Sequence, residues 1–359
     1  MGSLQLWLAV LGGLILAGFV AHGAWQTRRA ASLEQADAAP PLGDDERTRP
    51  AALDEIREPV FEGAEGGPAD DVVRPAPAAP ARPRMAPPRI DALIDAIASL
   101  SLEAPTTGDN ALAHFPATRR AGSKPLLIEG LHCERGEWEA PVPGQLYSEF
   151  QAAAQLANRH GALNEIEYSE FVQKIQAFAD GIGARPDFPD MLEVVARSRE
   201  LDAFASGHDA QLAMRLKAKR NPWPLAFVQQ HAQRHGFIPG STPGRLVMPS
   251  EEEGAPPMLS IQFSSQVALD DESKQARIDE FVLAFDVPQT PANDDPYSAW
   301  CAAGRALAIG LDALVSDDNG QPLHPDAFTT IGLELSSLYE QLAQRDLAAG
   351  SAVARRLFS

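Results

Sequence analysis

The chain has 359 residues, with 30 Lys+Arg against 49 Asp+Glu, a formal net charge of -19 at pH 7 and an apolar content of 45%. So acidic a chain is repelled by nucleic acid and by anionic lipid headgroups, while its apolar share suffices for a sizeable core. Its two cysteines, Cys133 and Cys301, form no CxxC pair, which speaks against a zinc ribbon or a thioredoxin-type centre and fits a reducing compartment.

Residues 4–25 are predicted to form a transmembrane helix. The apolar run from Leu4 to Ala24 matches the roughly 20 residues needed to cross a hydrocarbon core, and His22 is its only ionisable side chain. Trp7 and Trp25 stand near its two ends, where indole rings favour the interface. No Lys or Arg precedes the run, as a cleaved signal peptide would require. Arg28 and Arg29 follow it, so the positive-inside rule predicts a single-pass protein of the bacterial inner membrane, with a periplasmic N-terminus and cytoplasmic soluble domains. Residues 26–89 are rich in Ala, Pro and acidic residues and poor in bulky apolar ones, the composition of a disordered linker. The stretch RPAPAAPARPRMAPPR at 74–89 favours polyproline II.

The soluble part repeats short strings in one order. EFV at 170–172 recurs at 280–282, LDA at 201–203 recurs at 311–313, and QLA at 155–157 resembles QVA at 266–268. DAIASLSLEA at 95–104 resembles DAQLAMRLKA at 209–218. This self-similarity predicts two related α/β units, 90–205 and 206–359, the first a degenerate copy of the second. In the second unit, residues 211–218 alternate as a strand. A helix opens after Asn221-Pro222 and stops at Gly236. Strands are predicted over 244–248, 258–264 and 280–286, and helices over 297–311 and from Pro325 onward. The turn chemistry of Asn319-Gly320 predicts a hairpin. The fold class expected is α+β, with antiparallel sheets covered by helices on one face.

Chemistry finds little purchase. His231 and His235 are four apart on a predicted helix but lack the Glu of HExxH and a third ligand. Asp317 and Asp318 belong to a turn, since the spacing of an EF-hand loop is absent. His132 and Cys133 are neighbours in a strand and face opposite ways. No P-loop, GxGxxG or GxSxG occurs, so no enzyme, metal or cofactor is expected. One charge feature stands apart: no acidic residue lies between Asp209 and Glu251, a span carrying Arg215, Lys217, Lys219, Arg220, Arg234 and Arg245. That span is suited to an acidic peptide, or is simply a solvated basic surface.

Several strings of the second unit then resemble the C-terminal domain of the ZipA family of bacterial cell-division proteins. QQHAQRHGFIPG at 229–240 is similar to that family's first helix and second strand, and PPMLSIQF at 256–263 to its third strand. FDVP at 285–288 resembles the end of the following strand, and LVSDDNGQPLHP at 314–325 the hairpin after it. The resemblance implies a split β-α-β sheet with helices on one face and a peptide groove on the other. It implies a non-enzymatic adaptor that binds the C-terminal tail of FtsZ and tethers division filaments to the inner membrane. An envelope-associated peptide-binding or scaffolding module with a different partner is the alternative, and a membrane-bound enzyme a third class. The bulky alternation of Leu259, Ile261 and Phe263, and of Phe281, Leu283 and Phe285, should face the helices. By position, the family's groove then falls on Thr242, Gly244, Leu246, Gln262, Ser264, Val282 and Ala284, with Arg245 to meet acidic residues of the tail.

Overall fold

The computed structural model describes residues 87–263 and 276–359. The expected membrane helix at 4–25 and the linker up to residue 86 lie outside the described residues. Among the described residues no helix is long and apolar enough to cross a membrane. The single-pass anchor and the inner-membrane location expected from the sequence thus find no helix to carry them among the described residues, whose fold is mixed α+β with antiparallel sheets.

The first half runs β1 (Asp95–Thr107), α1 (Gly108–Ala113), β2 (Arg120–Ala121), β3 (Lys124–His132), β4 (Trp138–Glu139), β5 (Leu146–Gln155), β6 (Ala157–Asn158), β7 (Gly161–Ala162), α2 (Glu165–Ile182), β8 (Ala184–Asp187) and α3 (Met191–His208). The second runs β9 (Gln211–Ala218), β10 (Trp223–Pro224), α4 (Leu225–Arg234), β11 (Ile238–Pro239), β12 (Arg245–Met248), β13 (Leu259–Gln262), β14 (Arg277–Ile278), β15 (Glu280–Asp286), α5 (Pro296–Leu311), β16 (Ala313–Ser316), α6 (Pro325–Ala343) and α7 (Ala352–Leu357).

Period-two alternation builds each sheet with one core face. In the first, Ala98, Ala152 and Ile128 lie side by side across three strands, as do Leu100, Phe150 and Gly130. These rows meet Phe171, Ile175 and Phe178 of α2, which recur at helical spacing and are fully buried. Helix α2 starts where Asn164 and Glu167 close a capping box and stops at Gly183, whose φ of 71° suits a residue without a Cβ. Ala179 and Ile182 complete the buried stripe of α2.

The two sheets share an order of five strands, to which β4 adds beside β3 in the first and β11 beyond β12 in the second. The order β2-β3-β5-β1-β8 of the first is repeated as β12-β13-β15-β9-β16 in the second, with every neighbouring pair antiparallel. A helix follows β5 and another follows β8, just as α5 follows β15 and α6 follows β16. The strings that suggested a repeat mostly fall on unlike elements. EFV lies in α2 at one occurrence and in β15 at the other, and LDA lies in α3 and then across the end of α5. Only the similarity of 95–104 to 209–218 joins equivalent strands, β1 and β9. The string at 266–268 lies outside the described residues.

The last residues tie the halves together. Leu347, Ala354, Leu357 and Phe358 belong to the first half's core, although they end the second half's sequence. Arg356 donates two hydrogen bonds to Asp95, at 2.9 and 2.6 Å, and the Asp95 side chain is wholly buried. Its neighbour Arg355 turns the other way and pairs with Glu252 at 2.6 Å. The Gln289 amide donates to the carbonyl of Phe358 at 2.6 Å. Across the same junction Arg159 pairs with both Asp209 and Asp286 at 2.6 Å. Burial works against the Arg159 charge, but the two carboxylates outweigh it and hold the guanidinium protonated above its usual range.

Burial pushes the Asp95 carboxyl up, and the hydrogen bond and charge of Arg356 pull it back only in part. Removing Arg356 strands a buried carboxylate. Arg356→Ala is expected to lower unfolding free energy by about 3–5 kcal/mol at neutral pH. Its folded-state Asp95 pKa then lies further above the unfolded value, so the folded variant gains a proton on acidification and its deficit shrinks as pH falls. Arg199→Ala, which removes an exposed pair with Glu165, is expected to cost less than about 1 kcal/mol. Denaturant unfolding of the two variants at neutral and mildly acidic pH checks both expectations.

Candidate functional site

The register of the second sheet sorts its residues into two faces. Leu246, Ile261, Leu283 and Met214 are cross-strand neighbours in one row, and each is at least 97% buried. This row packs against Val228 of α4 and against Trp300 and Leu307 of α5, and the Trp300 indole donates to the Leu283 carbonyl at 3.0 Å. The opposite face carries Arg245, Gln262, Val282, Arg215 and Ser316 in one row and Val247, Ser260, Ala284 and Ala213 in the next. None of these nine belongs to a hydrophobic cluster with a helix among the described residues.

Of the expected partner-binding residues, Arg245, Gln262, Val282 and Ala284 share this helix-free face. Leu246 does not. Its pairing with Ile261 turns it into the core, and Arg245 and Val247 take the open positions on β12. Alternation within one strand cannot set parity between strands, and a shift of one residue moves a side chain to the other face. Thr242 and Gly244 belong to the turn between β11 and β12, where they line a cleft of about 270 Å³ with Leu225, Gln229 and Phe263. Ser264 lies outside the described residues.

Exposure varies along the face. Gln262 is exposed and Val282, Arg215 and Val247 are half-buried, while Ser260 and Ala284 are only 4% and 2% exposed. In their row these two short side chains lie between Val247 of β12 and Ala213 of β9. Ala284 is thus on the expected face without being a contact surface, and a charge placed there would be buried. Residues missed by the sequence reading are Val247, Ser260 and Ala213. Arg215 was visible as part of the acid-free span, but the central place of β9 between β15 and β16 has no signal in a linear pattern.

The basic character of that span is partly neutralised. Arg215 pairs with Glu280 at 2.5 Å and Lys219 with Asp312 at 3.0 Å. Among the described residues Arg245 makes no ion pair, and its buried Nε has no hydrogen-bond partner. It lines both the cleft at Thr242 and Gly244 and a second one, of about 300 Å³, bounded by Val247, Pro249, Glu252 and Pro257. Arg245 is thus a cation flanked by concave surface on both sides, which suits a carboxylate carried on an extended chain.

Constellations with catalytic potential resolve into structural roles. The His231 ring lies tilted against Phe227, with centroids 4.6 Å apart, and packs under Gly310. Among the described residues no group of three His, Cys, Asp or Glu could hold a metal ion. His132 is engaged by Gln145 and by the backbone N–H groups of Glu134 and Arg135, while Cys133 is exposed. Lys124 is fully buried, and burial pushes its ammonium pKa down. It donates to Ser123, Asn158 and the Gly161 carbonyl and so pins β3 to the β6–β7 hairpin. Neither a scan against protein-family models nor a search of curated proteins finds a match for this chain.

Adjacent positions of β15 test the assignment of faces. Leu283→Asp places a charge among Ile261, Met214 and Trp300 and is expected to cost more than about 4 kcal/mol or to prevent folding. Val282→Asp, one residue earlier on the open face, is expected to stay within about 1 kcal/mol of the parent. Thermal unfolding of both variants reads the difference, and equal losses would mean that both faces are covered.

Proposed function

We propose that this protein is a non-enzymatic adaptor that holds an extended, acidic peptide on the open face of its second sheet. The observation that carries the reading is the row Arg245–Gln262–Val282–Arg215, which crosses four adjacent strands on the side away from the helices. An extended segment laid over it meets a half-buried apolar side chain at Val282, a polar one at Gln262 and, at Arg245, a cation with no ion pair among the described residues. Ser260 and Ala284, in the neighbouring row, are buried and offer it no contact surface. Apolar anchors supply affinity when such a contact is desolvated. Arg245 supplies orientation and, at low salt, a faster encounter.

The resemblance of the second half to ZipA-type domains gives the reading a specific partner, the C-terminal tail of FtsZ. The helix-free face is the one on which that resemblance places the peptide. A different acidic peptide on the same face is the second reading, favoured by the departure of Leu246 from the expected groove.

A fluorescent peptide of the FtsZ C-terminal tail, titrated into the full chain, tests the proposal. The full chain is needed because α7 lies in the first half's core. Saturable binding is expected, with a loss of at least about tenfold in Arg245→Glu, the scale of a charge-assisted hydrogen bond. Val282→Glu is expected to abolish it, and rising salt to weaken it. Binding that survives both substitutions would exclude the open face. No binding by the folded parent would exclude FtsZ and leave the second reading.

A further inference from the structure

The helix-packed side of the second half carries a separate opening. A groove of about 630 Å³ is lined by α5, β16 and the first turn of α6. That volume falls within the about 300–1,000 Å³ usual for small-molecule sites. Met214, Ala308, Val315, Leu323 and Phe328 give it apolar walls. Gly304 lies against Met214: a Cβ there would come within 2.3 Å of the Met214 sulfur, so the methionine side chain would have to shift to admit one. Ile309 stands at the rim with 78% of its surface exposed. Burial pushes the Cys301 thiol up, which keeps this lining residue protonated and part of the wall.

Three charged side chains border the groove. Lys219 and Asp312 satisfy each other at 3.0 Å where α5 ends. Arg305, on the same helix and nearer its middle, has no carboxylate partner among the described residues. One unmatched guanidinium beside a long apolar slot is complementary to a molecule with one anionic end. We propose that this groove binds a single alkyl chain bearing a carboxylate, with the chain along Met214, Ala308 and Phe328 and the carboxylate on Arg305. The site is on the opposite side of the sheet from the peptide face and stands independently of that reading.

Calorimetric titration of the full chain with decanoate, and separately with 1-decanol, tests it. One saturable decanoate site is expected, about tenfold tighter than decanol, the difference that one charge-assisted hydrogen bond supplies. Ala308→Trp fills the groove and is expected to abolish binding of both. Arg305→Glu is expected to remove the preference for decanoate and leave decanol unchanged. Absence of saturable binding, or binding undiminished in Ala308→Trp, would overturn the proposal, the second by showing that the chain binds decanoate elsewhere. Equal affinity for decanoate and decanol in the parent would overturn the anionic specificity. Should circular dichroism show Ala308→Trp unfolded, Arg305→Glu decides alone: a loss confined to decanoate supports the site, and any other result overturns it.

Discussion

Two consecutive arginines in the last helix hold the described structure together. Arg356 reaches the buried Asp95 at the head of the first sheet, and Arg355 reaches Glu252 in the loop between β12 and β13. One short helix can do both because adjacent side chains leave it in different directions. The pairing is costly, since burial raises the Asp95 pKa despite its partner, and buried ion pairs seldom add net stability. What it secures is registry. Helix α7 contributes Leu357 and Phe358 to the first core, and the pair fixes which way that helix is turned. Arg159, bridging Asp209 and Asp286, fixes the same junction from the first half.

This junction bears on the candidate site. Glu252 belongs to the loop that bounds one of the two clefts beside Arg245. Arg355 engages Glu252 at 2.6 Å, and Glu253 lines the same cleft. In a chain with a net charge of -19, Arg245 is a cation that makes no ion pair among the described residues.

Much of the second half was legible because strands buried on one face write their alternation plainly. Ile261, Phe281, Leu283 and Phe285 were assigned to the core from period two alone, and each is at most 2% exposed. The helix over 297–311 is equally visible, whereas the expected Asn319-Gly320 hairpin closes only one antiparallel bridge, Ser316 to Pro322, and Asn319 lacks the positive φ of a type I′ turn. The errors arose where structure is set by non-local pairing. Leu246 was placed on the open face because parity does not carry across the turn at Gly244. The repeat was inferred mostly from strings that fall on a helix in one half and on a strand or helix end in the other. The shared order of five strands is a non-local feature that no string records. The crossing of the C-terminal segment into the first core was also illegible, because an apolar helix carries no mark of which core it joins.

The account of the peptide face rests on which side of one sheet meets the partner. Methyl-resolved NMR of the full chain, with the FtsZ tail peptide added stepwise, addresses that directly. Perturbations at the methyls of Val282, Val247 and Ala213, with those of Ala308 and Ile309 on the helix side unmoved, are the expected result. Perturbations confined to Ala308 and Ile309 would contradict it and move peptide recognition to the opposite side of the sheet.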